Sequence, residues 1–152
     1  VTWNLRKAHQ TDVDFLAELR AEVLRPDLER LGRYDGQRVR RRMHDTFSPE
    51  HTSIIVVDGE PAGSVTLRPG DDGWWLEHFY LSPALQGRGI GTAVLDSLLA
   101  RLEGHRVRLN VLQGSAARRL YERHGFVVDS QDPVDIYMSL QPSSRTNSSK
   151  EI

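Results

Sequence analysis

The chain has no cysteine, which removes disulfides, a thiol nucleophile and thiolate metal sites together. Lysine is nearly as scarce: Lys7 and Lys150 stand alone, so arginine carries the basic charge. No apolar run approaches the length of a membrane span, and the first residues lack a secretion-signal pattern. A cytoplasmic protein with no membrane contact is the expectation. Net charge is −1 at neutral pH, so no overall field draws the chain to nucleic acid. Arg38, Arg40, Arg41 and Arg42 do cluster, and they read as a solvated helix face. Histidines stand at 9, 44, 51, 78, 105 and 124; none form an H-x-x-x-H pair, and no metal is implied. Spacing gives no Ser-His-Asp triad either. What remains is 152 residues with 38% hydrophobic content, enough for the core of one domain. That domain is expected over 1–140, and the Ser-rich 141–152 reads as a disordered tail.

The most informative stretch runs from Trp74 to Leu102. Trp74 to Leu81 is rich in aromatic and aliphatic residues and predicts a strand. Ile90, Val94, Leu95, Leu98, Leu99 and Leu102 recur at helical spacing and predict one apolar stripe. Between them Gly87, Gly89 and Gly91 alternate with Arg88 and Ile90. Such glycines let backbone approach a ligand closely. The helix that follows offers unpaired N–H groups and a partial positive charge, a seat for pyrophosphate. A nucleoside triphosphate loop would need Gly-Lys-Ser/Thr, and Gly91-Thr92 has no lysine between. A dinucleotide fingerprint would need its third glycine elsewhere.

Gln86-Gly87-Arg88-Gly89-Ile90-Gly91 resembles the Q/R-x-x-G-x-G/A signature of the GNAT superfamily of acyl-CoA N-acyltransferases. Leu81-Ser82-Pro83 upstream and Leu120-Tyr121-Glu122-Arg123-His124-Gly125-Phe126 downstream are similar to further blocks of that family, in its order. The resemblance spans nearly all of residues 3 to 140 and is to bacterial-type N-acetyltransferases. It implies an α+β fold: a mixed, mainly antiparallel sheet of about seven strands with four helices. Strands four and five would splay around a cofactor slot.

The chain taken in order agrees. Trp3 to Arg6 reads as a strand. Thr11 reads as the cap of a helix carrying Phe15, Leu16, Leu19 and Val23, disrupted at Pro26. Leu28 to Tyr34 reads as irregular. Asp35 caps a second helix with Val39, Met43 and Phe47 at every fourth position. Ser53–Val57 and Ala62–Leu67 form a hairpin through Asp58-Gly59, and Pro69 to Gly73 turns into the central strand. Arg106–Leu112 is a strand, Ser115 caps a short helix ended by Gly125, and Phe126–Val128 and Val134–Leu140 close the sheet.

The resemblance also implies the chemistry. Acetyl-CoA would be the acyl donor, and a small-molecule or peptide amine would attack it directly in a ternary complex. The N–H of Leu81 would face the thioester carbonyl, with Phe79 and Tyr80 beside the pantetheine. Gln86, Gly87, Arg88, Gly89, Ile90, Gly91 and Thr92 would take the pyrophosphate. Tyr121 matches the family's general acid; a phenol of pKa about 10 can protonate a leaving thiolate. Its bland alternative is a core tyrosine packed on Ala117 and Leu120. Glu77 would be the general base; alternatively it pairs with Arg106 or Arg108. Period-two alternation puts Glu77 with Trp75, Phe79 and Leu81, unless a bulge interrupts it. His78 falls on the other face and reads as structural. Asn110 would contact the pantetheine, or else satisfy loop backbone. Ser115 stands where relatives commonly carry asparagine, so it either bonds the cofactor or only caps its helix. The acceptor pocket would draw on Arg25, Asp27, Glu29, Arg33, Tyr34, Trp74 and Trp75. Homodimers are common in the family. A different class also fits the cradle: a non-catalytic module that binds or senses acyl-CoA. Glu77 and Tyr121 together favour the enzyme, since binding alone needs neither.

Overall fold

The computed structural model describes residues 1–142, so the tail expected from 141 on falls almost wholly outside the described residues. The described strands form one seven-stranded sheet in the order β1-β2-β3-β4-β5-β7-β6, antiparallel but for the β4–β5 pair. By contacts the chain divides into two compact units. One holds Val1–Leu67 with Glu77–Gly91; the other holds Arg68–Leu76 and the chain from Thr92 on.

In the first unit β1 (Trp3–Lys7) pairs antiparallel with β2 (Thr52–Val57), from Trp3 opposite Val57 to Lys7 opposite Ser53. β2 joins β3 (Glu60–Gly70) through Asp58 and Gly59, both in the left-handed region at φ 50° and 85°. That is the twist a two-residue hairpin requires, and Asp-Gly supplies it cheaply. Two helices, α1 (Val13–Arg30) and α2 (Gly36–Thr46), belong to this unit. Leu16, Ala17, Leu19, Met43 and Ile54 build the core they share, with Tyr80 packed at its edge.

Helix α2 starts as expected. The Asp35 carboxylate accepts the N–H groups of Gln37 and Arg38, at 3.1 and 3.2 Å. Helix α1 departs from expectation at both ends. A 3-10 turn over Gln10–Asp12 precedes it, so Asp12 rather than Thr11 stands at the N-cap position, and its side chain turns back to His9 instead of capping α1. Asp12 accepts the His9 N–H at 2.7 Å while Arg6 grips both its oxygens at 3.0 Å. These charge-assisted bonds hold the turn against β1. At the other end α1 runs through Pro26 to Arg30. Proline removes one N–H and leaves the carbonyl four residues back unpaired. Here both Pro26 and Glu22 are exposed, so water can satisfy that carbonyl.

β4 (Gly73–Leu81) begins in the second unit. Its parallel ladder with β5 (Arg106–Leu112) holds Gly73, Trp74 and Trp75 opposite Arg106, Val107 and Arg108. β5 then pairs with β7 (Asp135–Leu140), and β7 with β6 (Val127–Gln131). α3 (Ile90–Arg101) and α4 (Ala117–Arg123) complete the elements. Val94, Leu95, Leu98 and Leu102 are buried at helical spacing, as are Val107, Leu109, Ile136 and Met138 on strands.

Candidate functional site

In the first unit the candidate residues follow one another along the chain. Leu81 ends β4 and is buried. A short 3-10 turn over Pro83–Leu85 follows, and then Gln86, whose side-chain amide donates to the Leu81 carbonyl at 2.9 Å. That bond ties the mouth of the glycine loop to the strand end. Gly87 and Gly89 lie in the left-handed region at φ 78° and 83°, and a Cβ at either would stand in open space. The reason for glycine here is thus conformation, not crowding. The N–H groups of Gly87, Arg88 and Gly89 donate to no other described residue. Ile90 starts α3 with Gly91 in its first turn, and Thr92 follows just across the unit boundary.

β4 is interrupted inside the unit. His78 has φ 47°, a left-handed residue in mid-strand, so alternation cannot be counted across it. This is the break that would free Glu77 from the face assigned by period two. The His78 carbonyl accepts the Ser64 hydroxyl at 2.7 Å. Its ring reaches the Tyr80 hydroxyl through Nδ1 at 3.2 Å and Thr46 Oγ1 through Nε2 at 2.7 Å. Tyr80 in turn receives Arg20 Nε at 3.0 Å. Burial raises the Tyr80 phenol above its usual 10.0, with the Arg20 charge pulling less strongly the other way. The Tyr80 side chain is thus committed to α1 and to His78. Phe79 and Glu77 beside it are half-buried.

Sequence reading gave Gly63 no role. A Cβ there would sit 2.3 Å from the Tyr80 carbonyl oxygen and 3.2 Å from Leu81 Cα. β3 can approach the end of β4 this closely only because position 63 has no side chain. Arg20 and Thr46 were equally invisible. Nothing local marks them, because their partners stand 60 and 32 residues away.

A half-open cavity of about 590 Å³ also lies in the first unit, lined by α1, by Tyr34 and Arg40, and by Pro61 and Ser82. Arg25, Glu29 and Tyr34 of the expected acceptor set line it; Asp27, Arg33, Trp74 and Trp75 do not. Arg25 binds Glu29 at 3.1 Å and lies 4.9 Å over the Tyr34 ring. Arg40 binds Glu18 at 2.8 Å. Apolar Phe15, Leu19, Ala21 and Pro26 share the lining, and Glu22 adds an exposed carboxylate.

In the second unit Tyr121 is buried on α4, its ring edge-on to Phe126 at 5.5 Å. Asn110 donates its amide to Asp135 at 3.0 Å. The Ser115 hydroxyl accepts the Ala117 N–H at 3.2 Å, a capping bond. Asp72 binds Arg106 at 3.2 Å and both its oxygens take Arg108. Trp75 lies under the Arg108 guanidinium, 5.5 Å from centroid to carbon. Among the described residues, no cluster of three His, Asp or Glu side chains could hold a metal.

This order of elements, with a glycine loop between β4 and α3, matches a known pattern. The model of the acetyltransferase (GNAT) family matches residues 15–126. The chain belongs to that family. No curated protein matches this GNAT sequence. Solved structures do resemble it. The PaiA N-acetyltransferase of Thermoplasma acidophilum, crystallised with coenzyme A, is 21% identical with a TM-score of 0.75, over 93% of this chain and 99% of its own. The ribosomal-protein-S18-alanine N-acetyltransferase of Escherichia coli is 19% identical with a TM-score of 0.72, over 93% and 95%. An acetyltransferase of Corynebacterium glutamicum related to the histone acetyltransferase HPA2 is 18% identical with a TM-score of 0.72, over 94% and 98%. At these identities the likeness is one of fold.

Proposed function

We propose that this GNAT protein is an N-acetyltransferase, moving the acetyl group of acetyl-CoA to a primary amine by direct attack within a ternary complex. The observation that carries the reading is the loop from Gln86 to Gly91. It holds two left-handed glycines with open space over them, three N–H groups that donate to no other described residue, and the start of a helix. Such an arrangement suits a pyrophosphate, and the coenzyme the family implies therefore fits the residues present. The PaiA enzyme crystallised with coenzyme A shares the fold.

Acetyl-CoA supplies an activated thioester; the rest of the work falls to the chain. The N–H groups of Gly87 to Thr92, with the Gln86 and Arg88 side chains, hold the donor. Phe79, the Tyr80 backbone and Asn110 line the pantetheine. The Leu81 N–H polarises the carbonyl, an effect worth about 3 kcal/mol in comparable sites. Glu77 takes a proton from the attacking amine, directly or through water, as the new C–N bond forms. Tyr121 gives its proton to the sulfur as the C–S bond breaks. Ser115 serves the helix it caps. The acceptor enters the cavity beside Ser82, where apolar walls and the Glu22 carboxylate suit an ammonium carrying an apolar substituent. Cytoplasmic residence, monomer or homodimer, and indifference to nucleic acid and membranes complete the reading.

Calorimetry with acetyl-CoA, followed by a free-thiol release screen over pooled amines, tests it. Binding with amine-dependent CoA release is expected. Binding without turnover on any amine would favour an acyl-CoA sensor, and no binding would reduce the loop to a turn.

A further inference from the structure

The hydrogen bonds around His78 run in one direction only. Thr46 Oγ1 donates to the Arg42 carbonyl at 2.7 Å, which uses the only proton of the hydroxyl. In its other contact, 2.7 Å from His78 Nε2, the ring must therefore donate. A neutral imidazole protonated on Nε2 has a bare Nδ1, and that atom lies 3.2 Å from the Tyr80 hydroxyl. On the far side of Tyr80, Arg20 Nε at 3.0 Å can only donate. Tyr80 thus accepts from Arg20 and donates to His78. Burial keeps the phenol protonated, so it has that proton to give. Each of these four contacts then has one donor and one acceptor, from Arg20 of α1 to the Arg42 carbonyl of α2.

Neither other form of His78 satisfies the chain. Protonation on Nδ1 alone would set two acceptors, Nε2 and Thr46 Oγ1, face to face. The imidazolium would turn Nδ1 into a second donor facing the Tyr80 hydroxyl proton. It would also add a positive charge beside Arg20 of α1 and Arg42 of α2, with Glu77 the facing carboxylate and Ser64 of β3 neutral.

His78 is also the residue that kinks β4. A left-handed, non-glycine residue is strained and persists only where its surroundings over-determine it. Here the surroundings are named: Thr46 and Tyr80 hold the ring, and Ser64 holds the carbonyl. On either side of the kink stand Glu77 and the Phe79–Leu81 segment.

We propose that His78, neutral and protonated on Nε2, is a positioning residue for acyl transfer, the chain from Arg20 to Thr46 holding the kink that aims Glu77 and the Leu81 N–H. The purpose of the kink rests on the acyl-transfer reading; the tautomer does not.

Nitrogen-15 spectra of histidine-labelled protein, without substrate, read the tautomer directly. His78 should show the neutral Nε2–H pattern near pH 7, and Thr46→Val, which keeps the shape but deletes the acceptor, should lose it. In steady-state assays Thr46→Val should lower kcat about 10- to 100-fold while KM for acetyl-CoA moves less than about threefold. Thr46→Ser, which restores the hydroxyl, should recover most of the loss. His78→Asn, which tolerates left-handed backbone but cannot bridge both partners, should behave like Thr46→Val. Denaturant midpoints of each variant separate lost positioning from lost fold. An Nδ1–H or imidazolium pattern overturns the tautomer. Folded Thr46→Val or His78→Asn with wild-type kcat overturns the positioning role. If wild-type protein acetylates no amine while the Nε2–H pattern persists, the transfer reading and the positioning role fall and the chain of bonds stands.

Discussion

Tyr121 packs its ring edge against Phe126 inside the second unit, and removing only its oxygen leaves that packing in place. Tyr121→Phe should therefore fold normally, bind acetyl-CoA as before, and lose kcat by about 100-fold or more, the scale of general acid catalysis. Calorimetry and initial rates on the same preparation separate the two quantities; an unchanged kcat removes Tyr121 from the chemistry. Glu77 calls for a different readout, because a base shows itself in the pH profile. Glu77→Gln should lower kcat/KM and abolish its acid limb, and an intact limb would pass the role to water or another group. At this scale the sequence was readable where a block of neighbouring residues carries the signal, as around Tyr121. It was not readable for Arg20, Thr46 and Ser64. Their meaning lies in partners brought close only by folding.

Elements show the same division between local and long-range causes. Asp35 capping α2 was legible, because a cap and its two N–H donors are adjacent. The 3-10 turn ahead of α1 was not, since Asp12 owes its place to Arg6 on β1. That bond has a pH signature. Arg6, with the His9 N–H helping, holds the Asp12 carboxyl below its usual 3.8. A depressed folded value adds stability above the unfolded pKa and loses it as pH falls through the folded value. Asp12→Asn should cost about 1 kcal/mol at pH 7, given a partner one third exposed. The gap between variant and wild type should close as urea melts are taken below about pH 4. A gap constant down to pH 2 would deny the ion pair. Gly63 supports a second test at this scale. Its missing Cβ lets the backbone of β4 pass within 2.3 Å of where that atom would be. Gly63→Ala must push the Tyr80–Leu81 backbone aside, and overpacking of this kind costs about 1–3 kcal/mol. If Leu81 polarises the thioester, kcat should fall as well, beyond what the urea midpoint alone predicts. Retained kcat in the destabilised variant would detach Leu81 from catalysis.

For the whole molecule, the order of strands and helices could be read along the chain because each signal is local: alternation, helical spacing, a cap, a turn pair. The sheet order β1-β2-β3-β4-β5-β7-β6 is not local. Sequence reading did not reach it, since no single strand's composition says that β5 lies parallel to β4 and beside β7. The passage of α1 through Pro26, which solvent exposure decides, escaped the same reading; a bulge in β4 was foreseen as an alternative, but not its place at His78. The division into two units was likewise absent from composition. A ligand held only by the folded chain stabilises it by RT ln(1 + [L]/Kd), about 2.7 kcal/mol at a hundredfold excess over Kd. For a chain of this size each kcal/mol moves Tm by about 2–4 °C, so saturating acetyl-CoA should raise Tm by roughly 5–10 °C. Free pantetheine lacks the pyrophosphate, and at equal concentration should give a small fraction of that rise. Gly89→Arg, which places a side chain over the loop and strains a left-handed position, should suppress the acetyl-CoA shift more than it lowers the ligand-free Tm. If pantetheine alone matched acetyl-CoA, the loop would not be the seat of the donor, and the observation carrying the functional reading would be lost.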